Sequence, residues 1–224
     1  MKDSTRQAGT TDSGRLTTDG LVEVVKESSD ELNPSVVTTG YVERAPRRRS
    51  GSDYVALAVA TCGVGYLPVA PGTWGSLVGV GLYLAASAAG GAILGAADER
   101  AWYLLPFTAL HTTIVLLLLI GLTIAGIWAA SRTEAVLARK DPGVVVIDEV
   151  VGQLITFAFV SPVAGPFTII TGFVLFRLFD IWKPYPIRRL ESLESGLGIM
   201  ADDVLAGAYA ATLMSLLTSI KLLT

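Results

Sequence analysis

The sequence has few of the residues on which several common enzyme mechanisms depend. It contains one cysteine, Cys62, and one histidine, His111. A single cysteine cannot form an internal disulfide, and Cys62 is not followed by the arginine that a cysteine-phosphatase loop requires. His111 lies within the most hydrophobic segment, so a phosphohistidine mechanism has no candidate nucleophile. The sequence also has no Walker A loop and no Asp-x-Asp pair of the kind that forms an aspartyl phosphate.

Charged residues are scarce as well. They make up 17% of the 224 residues, whereas hydrophobic residues make up 51%; soluble domains usually carry about 25% charged residues. The net charge of −3 gives no indication of a nucleic-acid partner. The charges are concentrated in residues 1–52, which are also rich in Ser and Thr. We therefore predict a polar, disordered cytoplasmic tail over 1–52 and a membrane domain over 53–224.

Apolar segments dominate the second part of the chain. A short stretch, residues 54–62, predicts a buried or interfacial helix, because it is too short to span a bilayer. Longer segments follow at approximately 73–95, 102–130, 144–160, 167–182 and 204–217. A spanning helix needs about 20 apolar residues, so 102–130 is the clearest span and the others are short enough to be partly buried. The predicted fold is an all-α, multi-pass integral membrane helical bundle.

Basic residues occur in alternate connections between these segments. They are Arg44 and Arg47 to Arg49 before the first long segment, Arg132, Arg139 and Lys140 between the second and third, and Lys183, Arg188 and Arg189 between the fourth and fifth. Cytoplasmic loops of membrane proteins carry an excess of Lys and Arg. The pattern therefore predicts that the N-terminus and both basic loops face the cytoplasm.

Acidic residues in or beside apolar segments are costly and are candidates for function. They are Asp148, Glu149, Asp180, Asp202 and Asp203. In the topology that Lys and Arg predict, all of them fall at the cytoplasmic ends of their helices. Carboxylates at one depth repel one another unless a cation or protons compensate them. Oxygen ligands of this kind suit Mg²⁺, so the sequence predicts a metal site at the cytoplasmic face.

Residues that could bind phosphate lie near these acids. Arg177 and Lys183 are each three residues from Asp180, so they share a helix face with it. Thr73 follows Pro71 and Gly72 at a predicted helix start, where free backbone N–H groups favour phosphate, and Ser76 lies one turn later. Structural alternatives remain open at this point. Arg177 and Asp180 could form a simple ion pair, Thr73 could cap its helix, and each Asp or Glu pair could complement a helix dipole.

Four sequence blocks carry a family resemblance. They are Pro71-Gly72-Thr73-Trp74-Gly75-Ser76, Val146-Ile147-Asp148-Glu149-Val150-Val151-Gly152, Phe176-Arg177-Leu178-Phe179-Asp180-Ile181-Trp182-Lys183-Pro184-Tyr185-Pro186-Ile187, and Gly196-Leu197-Gly198-Ile199-Met200-Ala201-Asp202-Asp203-Val204-Leu205-Ala206-Gly207. Their order and spacing closely resemble the bacterial phosphatidylglycerophosphatase A family over roughly residues 54–220. The resemblance implies a Mg²⁺-dependent enzyme of the bacterial inner membrane, and the topology predicted from Lys and Arg places its active site at the cytoplasmic face of the multi-pass bundle. It would convert the phospholipid phosphatidylglycerophosphate to phosphatidylglycerol and inorganic phosphate.

The resemblance also implies residue roles. The five acids would be metal ligands or water-activating groups, with Lys183 also in the catalytic set. The expected phosphate contacts are Gly72, Thr73, Ser76, Arg177 and Lys183. Two other classes of function remain open: a small membrane ion transporter that uses the carboxylate cluster, and an inactive anchor or scaffold. An ion path requires polar residues spread through the bilayer, whereas an enzyme site requires them at one face. The number of metal ions and the oligomeric state are left open.

Overall fold

The structure is a computed structural model. It describes residues 13–16, 21–30, 33–43, 49–97, 104–160 and 164–223. The chain divides into two compact units, Met1–Arg49 and Ser50–Thr224.

The first unit contains a small antiparallel sheet. Its strands are β1 (Ser13–Leu16), β2 (Leu21–Asp30) and β3 (Asn33–Glu43), in the order β1-β2-β3. Val24 of β2 pairs with Gly40 of β3, and the register shifts between Ser28 and Asp30. Valine and threonine favour strands; both strands of this pair contain valine, and β3 also contains two threonines. The prediction of a disordered tail is therefore not confirmed.

The second unit contains helices joined by turns and loops, and no strand among its described residues. Its helices are α1 (Gly51–Thr61), α2 (Pro71–Ala97), α3 (Leu104–Leu137), α4 (Ile147–Thr156), α5 (Pro166–Trp182), α6 (Ile187–Leu190) and α7 (Ser195–Leu223). Proline is the first residue of α2 and α5, where its missing N–H costs no hydrogen bond. The all-α prediction is confirmed for this unit.

Helix α4 lies at the centre of the second unit. It packs against α1, α2, α3, α5 and α7, and six of its ten residues are buried. The third apolar segment was expected to extend over 144–160, but the α-helix covers only Ile147–Thr156. Ten residues of helix measure about 15 Å, roughly half of the hydrocarbon thickness of a bilayer. The segment is thus a buried helix of the bundle.

Small residues bring α2 close to α4. Gly75 and Gly79 face α4. A β-carbon at Gly75 would lie 2.9 Å from Val146 Cβ, and a β-carbon at Gly79 would lie 2.8 Å from Gln153 Cβ. These distances are shorter than ordinary van der Waals contacts. Larger residues at these positions would push the two helices apart.

An aromatic pair closes the far end of α4. Phe157, which follows the last residue of α4, is 2% exposed. Its ring stacks on the ring of Tyr83 from α2, with the centroids 4.5 Å apart. On another side it contacts Gly172 of α5. The two rings and the glycine therefore join α2, α4 and α5 at this level.

Two helices among the described residues are long and apolar enough to cross a membrane by length and composition, Ala109–Leu137 and Ser195–Ile220. Only 17% of the most apolar window of the first is buried within the structure, and 33% of that of the second. A core helix of a soluble protein would be mostly buried. The predicted span at 102–130 thus overlaps the candidate span Ala109–Leu137, with residues 102 and 103 outside the described residues, and the apolar exterior indicates a membrane-associated protein. The last helix begins at Ser195, well before the residue 204 that its apolar segment predicted.

Candidate active site

Three helices bring the predicted acidic residues to one place. Asp148 and Glu149 lie in the first turn of α4, Asp180 lies in the last turn of α5, and Asp202 and Asp203 lie in the third turn of α7. All five side chains line a single cavity of about 340 Å³, here called the acid cavity. Lys183, which caps α5, lines it as well. The acids that the sequence placed at one membrane face are therefore neighbours in space.

Three of the acids form a group with the geometry of a metal site. One carboxylate oxygen each from Asp148, Glu149 and Asp203 lies within 4.8 Å of the others. The buried atoms Asp148 Oδ1 and Glu149 Oε2 have no hydrogen-bond partner among the described residues. Buried, unpaired carboxylate oxygens are costly, and a divalent cation with a preference for oxygen ligands would satisfy them. The residues present thus fit a hard divalent metal ion.

The other two acids are paired with cations. Arg177 Nη1 donates to Asp180 Oδ2 at 2.6 Å, so the ion pair considered from the sequence is present. Lys183 Nζ donates to Asp202 Oδ2 and to Glu191 Oε1, both at 2.6 Å. The acid cavity therefore has an unpaired group of three acids and two acids that hold basic side chains in place.

The structure decides one of the structural alternatives. Asp202 and Asp203 do not cap a helix, because α7 begins at Ser195 and has no acidic residue in its first turn. They are 7% and 3% exposed, so they are buried inside the bundle rather than at a solvated helix end. Asp148 and Glu149 do lie in a first turn, where the helix dipole favours negative charge.

The predicted phosphate contacts lie at different distances from the acid cavity. Lys183 lines it, whereas Ser76 is fully buried and its Oγ donates to the Gly72 carbonyl oxygen at 2.9 Å. Arg177 Nη1 donates to Ser76 Oγ at 3.5 Å. Thr73 lies in the first turn of α2, where its N–H donates to the carbonyl oxygen of Ala70. Gly72 contacts the Glu149 carboxylate, since a β-carbon there would overlap Glu149 Oε1.

The charge on Lys183 is strongly favoured by its surroundings. Burial alone lowers the pKa of this lysine, but its hydrogen bonds to Asp202 and Glu191 and their negative charges outweigh burial and raise the pKa above its ordinary value. The ammonium group therefore remains protonated throughout the physiological range.

Several residues near the site were not identified from the sequence. Glu191 binds Lys183, and Glu134, Lys140 and Asp141 also line the acid cavity. No spacing rule predicts the Lys183–Glu191 contact, because the short helix α6 and its turns set the path between the two residues. Gln153, one turn after Glu149, is fully buried, and both atoms of its amide group lack a partner in the described structure.

A comparison with known families shows to which family the chain belongs. The sequence profile of the family described as phosphatidylglycerophosphatase A matches residues 57–218. The chain belongs to the phosphatidylglycerophosphatase A family. The resemblance read from the four sequence blocks is thereby confirmed, and so is the prediction that the chain is a phosphatase enzyme. The matched range includes every residue of the acid cavity.

Curated relatives of this phosphatidylglycerophosphatase A family member come from several bacteria. A protein of Bacteroides thetaiotaomicron named "Putative phosphatidylinositol-3-phosphatase" is 39% identical over 154 residues, which are 68% of this chain and 86% of the relative. The phosphatidylglycerophosphatase A of Haemophilus influenzae is 38% identical over 149 residues, 66% of this chain and 78% of the relative. That of Escherichia coli is 32% identical over 155 residues, 68% of this chain and 76% of the relative. No solved structure matches the chain.

Proposed function

We propose that this chain hydrolyses the terminal phosphate of phosphatidylglycerophosphate, giving phosphatidylglycerol and inorganic phosphate, with Mg²⁺ and an attacking water. The observation that carries the proposal is the group formed by Asp148, Glu149 and Asp203, with its buried and unpaired carboxylate oxygens. The names of the Haemophilus influenzae and Escherichia coli relatives support the choice of lipid headgroup.

Asp148, Glu149 and Asp203 would hold the ion directly. Asp180 and Asp202, whose side chains also line the acid cavity, are further candidate ligands. When bound, Mg²⁺ supplies positive charge that neutralises the phosphoryl oxygens and fixes the phosphate for in-line attack. Of the five acids that line the acid cavity, one that does not hold the ion would accept the proton of the attacking water.

Two basic residues would bind the phosphate oxygens in this mechanism. Lys183 already faces the acid cavity, and a phosphate oxygen can take the place of Glu191, whose side chain is half exposed. Arg177 is held by Asp180 and Ser76, which fixes the direction of its guanidinium. Ser76 and Gly72 would act behind these groups, by positioning Arg177 and by leaving space for Glu149.

Exposed aromatic residues support a position of the site at the membrane surface. Trp74 in the first turn of α2 is 44% exposed, Trp182 at the end of α5 is 61% exposed, and Tyr185 is 72% exposed. All three lie near the helix ends that carry the acid cavity. Trp and Tyr are enriched at membrane–water interfaces. We infer a multi-pass protein of the bacterial inner membrane whose acid cavity faces the cytoplasm, at the level of lipid headgroups.

The ion-transporter alternative has no support in the comparisons. The matched family is a phosphatase family, and the five acids line one cavity instead of following a path through the bundle.

The proposal is tested with the purified full chain in detergent micelles that contain phosphatidylglycerophosphate. Phosphate release should require Mg²⁺, stop in excess EDTA, and fall by at least about a hundredfold in Asp148→Asn, a loss typical of removing a group that stabilises the transition state. Glu194→Gln is the matched control, because Glu194 is exposed and lies outside the acid cavity lining. Full activity of Asp148→Asn, or of the wild type in EDTA, would overturn the mechanism.

The Bacteroides relative requires a second substrate in the same assay. Phosphatidylinositol 3-phosphate, phosphatidic acid and a soluble phosphate monoester should be compared with phosphatidylglycerophosphate by kcat/KM. We expect phosphatidylglycerophosphate to give the highest value. A higher value for phosphatidylinositol 3-phosphate would assign that headgroup to the same acid cavity.

A further inference from the structure

The acid cavity is lined by many more acids than bases. Eight carboxylates and two lysines, Lys183 and Lys140, line it. Lys183 is shared between Asp202 and Glu191. Lys140 makes no ion pair or side-chain hydrogen bond with any residue that the structure describes. It is therefore the one lining base, within the described part of the chain, whose charge is not already matched by a carboxylate.

Lys140 lies where the acid cavity opens outward. It is exposed and belongs to the connection between α3 and α4. An adjoining open pocket of about 430 Å³ is lined by Lys140 together with Arg139. The two spaces share Glu134, Lys140 and Ser195. Lys140 is thus at the junction between the acid cavity and a basic pocket outside it.

The backbone next to Lys140 is held in place. Glu134 Oε1 accepts a hydrogen bond from the Asp141 N–H at 2.8 Å, across the end of α3. This contact holds the turn that carries Lys140, and it occupies an oxygen of Glu134, one of the lining acids.

Two simpler roles for Lys140 do not account for its position. A base after the last turn of α3 complements the negative end of the helix dipole, and a cytoplasmic base helps to set membrane topology. Arg139 next to it would fulfil both roles without lining the acid cavity. Neither role involves the substrate.

We propose that Lys140 binds a phosphate group at the mouth of the acid cavity, outside the metal-binding acids. The inference rests on the proposed function, in which phosphate can come from two sources. The substrate carries a second, phosphodiester group besides the terminal phosphate that is removed. The reaction also releases inorganic phosphate, which must leave past the mouth. The surplus carboxylates of the lining repel an anion, so the unpaired ammonium of Lys140 is the lining group that attracts either phosphate at the mouth.

The experiment compares Lys140→Met and Lys140→Arg with wild type and with Arg188→Gln. Arg188 is exposed and outside the acid cavity lining, so its loss changes the net charge equally at a different place. The measurements are kcat and KM for phosphatidylglycerophosphate, KM or inhibition constant for phosphatidic acid, and the inhibition constant of inorganic phosphate. Phosphatidic acid has one phosphate, so it lacks the diester group.

If Lys140 binds the diester group, Lys140→Met should raise KM for phosphatidylglycerophosphate about tenfold, which is the order expected for one lost charge-assisted hydrogen bond. The KM or inhibition constant for phosphatidic acid should not change. If it binds released phosphate, the inhibition constant of inorganic phosphate should rise by a similar factor instead. Lys140→Arg should retain most of the wild-type behaviour, and Arg188→Gln all of it.

Unchanged constants in Lys140→Met, or equal changes for both lipids with unchanged phosphate inhibition, would overturn the inference while leaving the proposed function intact. Wild-type protein that releases no phosphate from phosphatidylglycerophosphate would instead reject the proposed function itself. Thermal unfolding of each variant, with the same midpoint as wild type, confirms that the changes do not come from misfolding.

Discussion

Gly72 lies directly against the carboxylate of Glu149. A β-carbon at residue 72 would overlap Glu149 Oε1 and would lie 3.2 Å from Arg177 Nη1. The missing side chain at Gly72 thus leaves space for two side chains beside the first turn of α2. They are Glu149, an acid of the candidate metal group, and Arg177, a candidate phosphate-binding base. This contact places Gly72 beside Glu149 and Arg177, although the Pro71-Gly72-Thr73 block lines little of the acid cavity.

Gly72→Ala should therefore lower phosphatase activity by at least about tenfold, because the new methyl group displaces Glu149 from the metal group. Gly81→Ala is the control on the same helix. A β-carbon at Gly81 meets nothing within 4 Å, so that variant should keep wild-type kcat/KM. It should also be slightly more stable, since alanine favours a helix by about 0.5–1 kcal/mol over glycine. Equal activity of the two variants would contradict the role of Gly72.

The three acids of the candidate metal group, Asp148, Glu149 and Asp203, should destabilise the protein when no ion is present. Asp148→Asn removes one charge from a group of neighbouring buried carboxylates, so its thermal unfolding midpoint in EDTA should equal or exceed that of wild type. Mg²⁺ should raise the midpoint of wild type, by an amount equivalent to about 2.7 kcal/mol at a hundred times its dissociation constant, and should raise that of the variant much less. A variant that is less stable in EDTA and equally stabilised by Mg²⁺ would argue against a metal site at Asp148.

Asp53 should make stability depend on acid pH. Its carboxylate accepts hydrogen bonds from the Ser50 N–H at 2.7 Å and from Arg132 Nε at 2.8 Å. The Ser50 N–H, with the Arg132 guanidinium beside it, holds the pKa of Asp53 below its ordinary value. The pKa of Asp53 is lower in the folded protein than in the unfolded chain. The ionised carboxylate therefore stabilises the folded state at pH values above the unfolded pKa, and this stabilisation is lost as the pH falls through the folded pKa.

Asp53→Asn should therefore unfold at a lower temperature than wild type at pH 7. The two midpoints should converge below about pH 4, near the ordinary value of an aspartate pKa, and thermal unfolding between pH 8 and pH 3 measures this. A constant difference between the two proteins across that range would show that the ion pair with Arg132 does not contribute.

The contact between α4 and α7 depends on a glycine. A β-carbon at Gly152 would lie 2.7 Å from the backbone oxygen of Asp203 and would overlap the ring of Phe176. Gly152→Ala should lower the free energy of unfolding by about 1–3 kcal/mol. It should also lower activity, because it moves Asp148 and Glu149 away from Asp203. Gly121→Ala, at a position of α3 with nothing within 4 Å, should leave both quantities near wild type.

The convergence of the acids could be predicted from the sequence because two independent patterns agree. The Lys and Arg residues of the loops predict a membrane topology, and in that topology all five acids lie at the cytoplasmic ends of their helices. The physical cost of charge in an apolar segment makes such agreement informative. The helix starts at Pro71 and Pro166 were also close to the predicted segments, since proline marks a first turn.

Other features required the three-dimensional structure. The start of α7 at Ser195 was missed, because Asp202 and Asp203 interrupt the apolar pattern while packing keeps the helix continuous. Gly196 contacts the backbone of Ile127 and the side chain of Ser131, so close packing on α3 favours helix in this polar stretch. The polar composition of residues 1–52 predicts a disordered tail, whereas the valines within this region favour the strands Leu21–Asp30 and Asn33–Glu43.

Pairings across long sequence distances were also outside the reach of sequence patterns. Arg132 binds Asp53 across 79 residues, and Lys183 binds Asp202 across 19. Neither spacing corresponds to a helix or strand period. Which cations of the basic loops face the site, and which only set topology, could be seen only from side-chain positions.

The stacked rings of Tyr83 and Phe157 have a consequence for the membrane itself. The two rings lie beyond the C-terminal end of α4, whose first turn carries Asp148 and Glu149. Apolar side chains therefore lie between the acid cavity and the opposite face of the bundle. A cluster of buried charge within a bilayer would otherwise be a route for leakage of protons and small ions. In the membrane orientation proposed above, this ring pair would hinder the passage of water and ions through the bundle beyond the acid cavity.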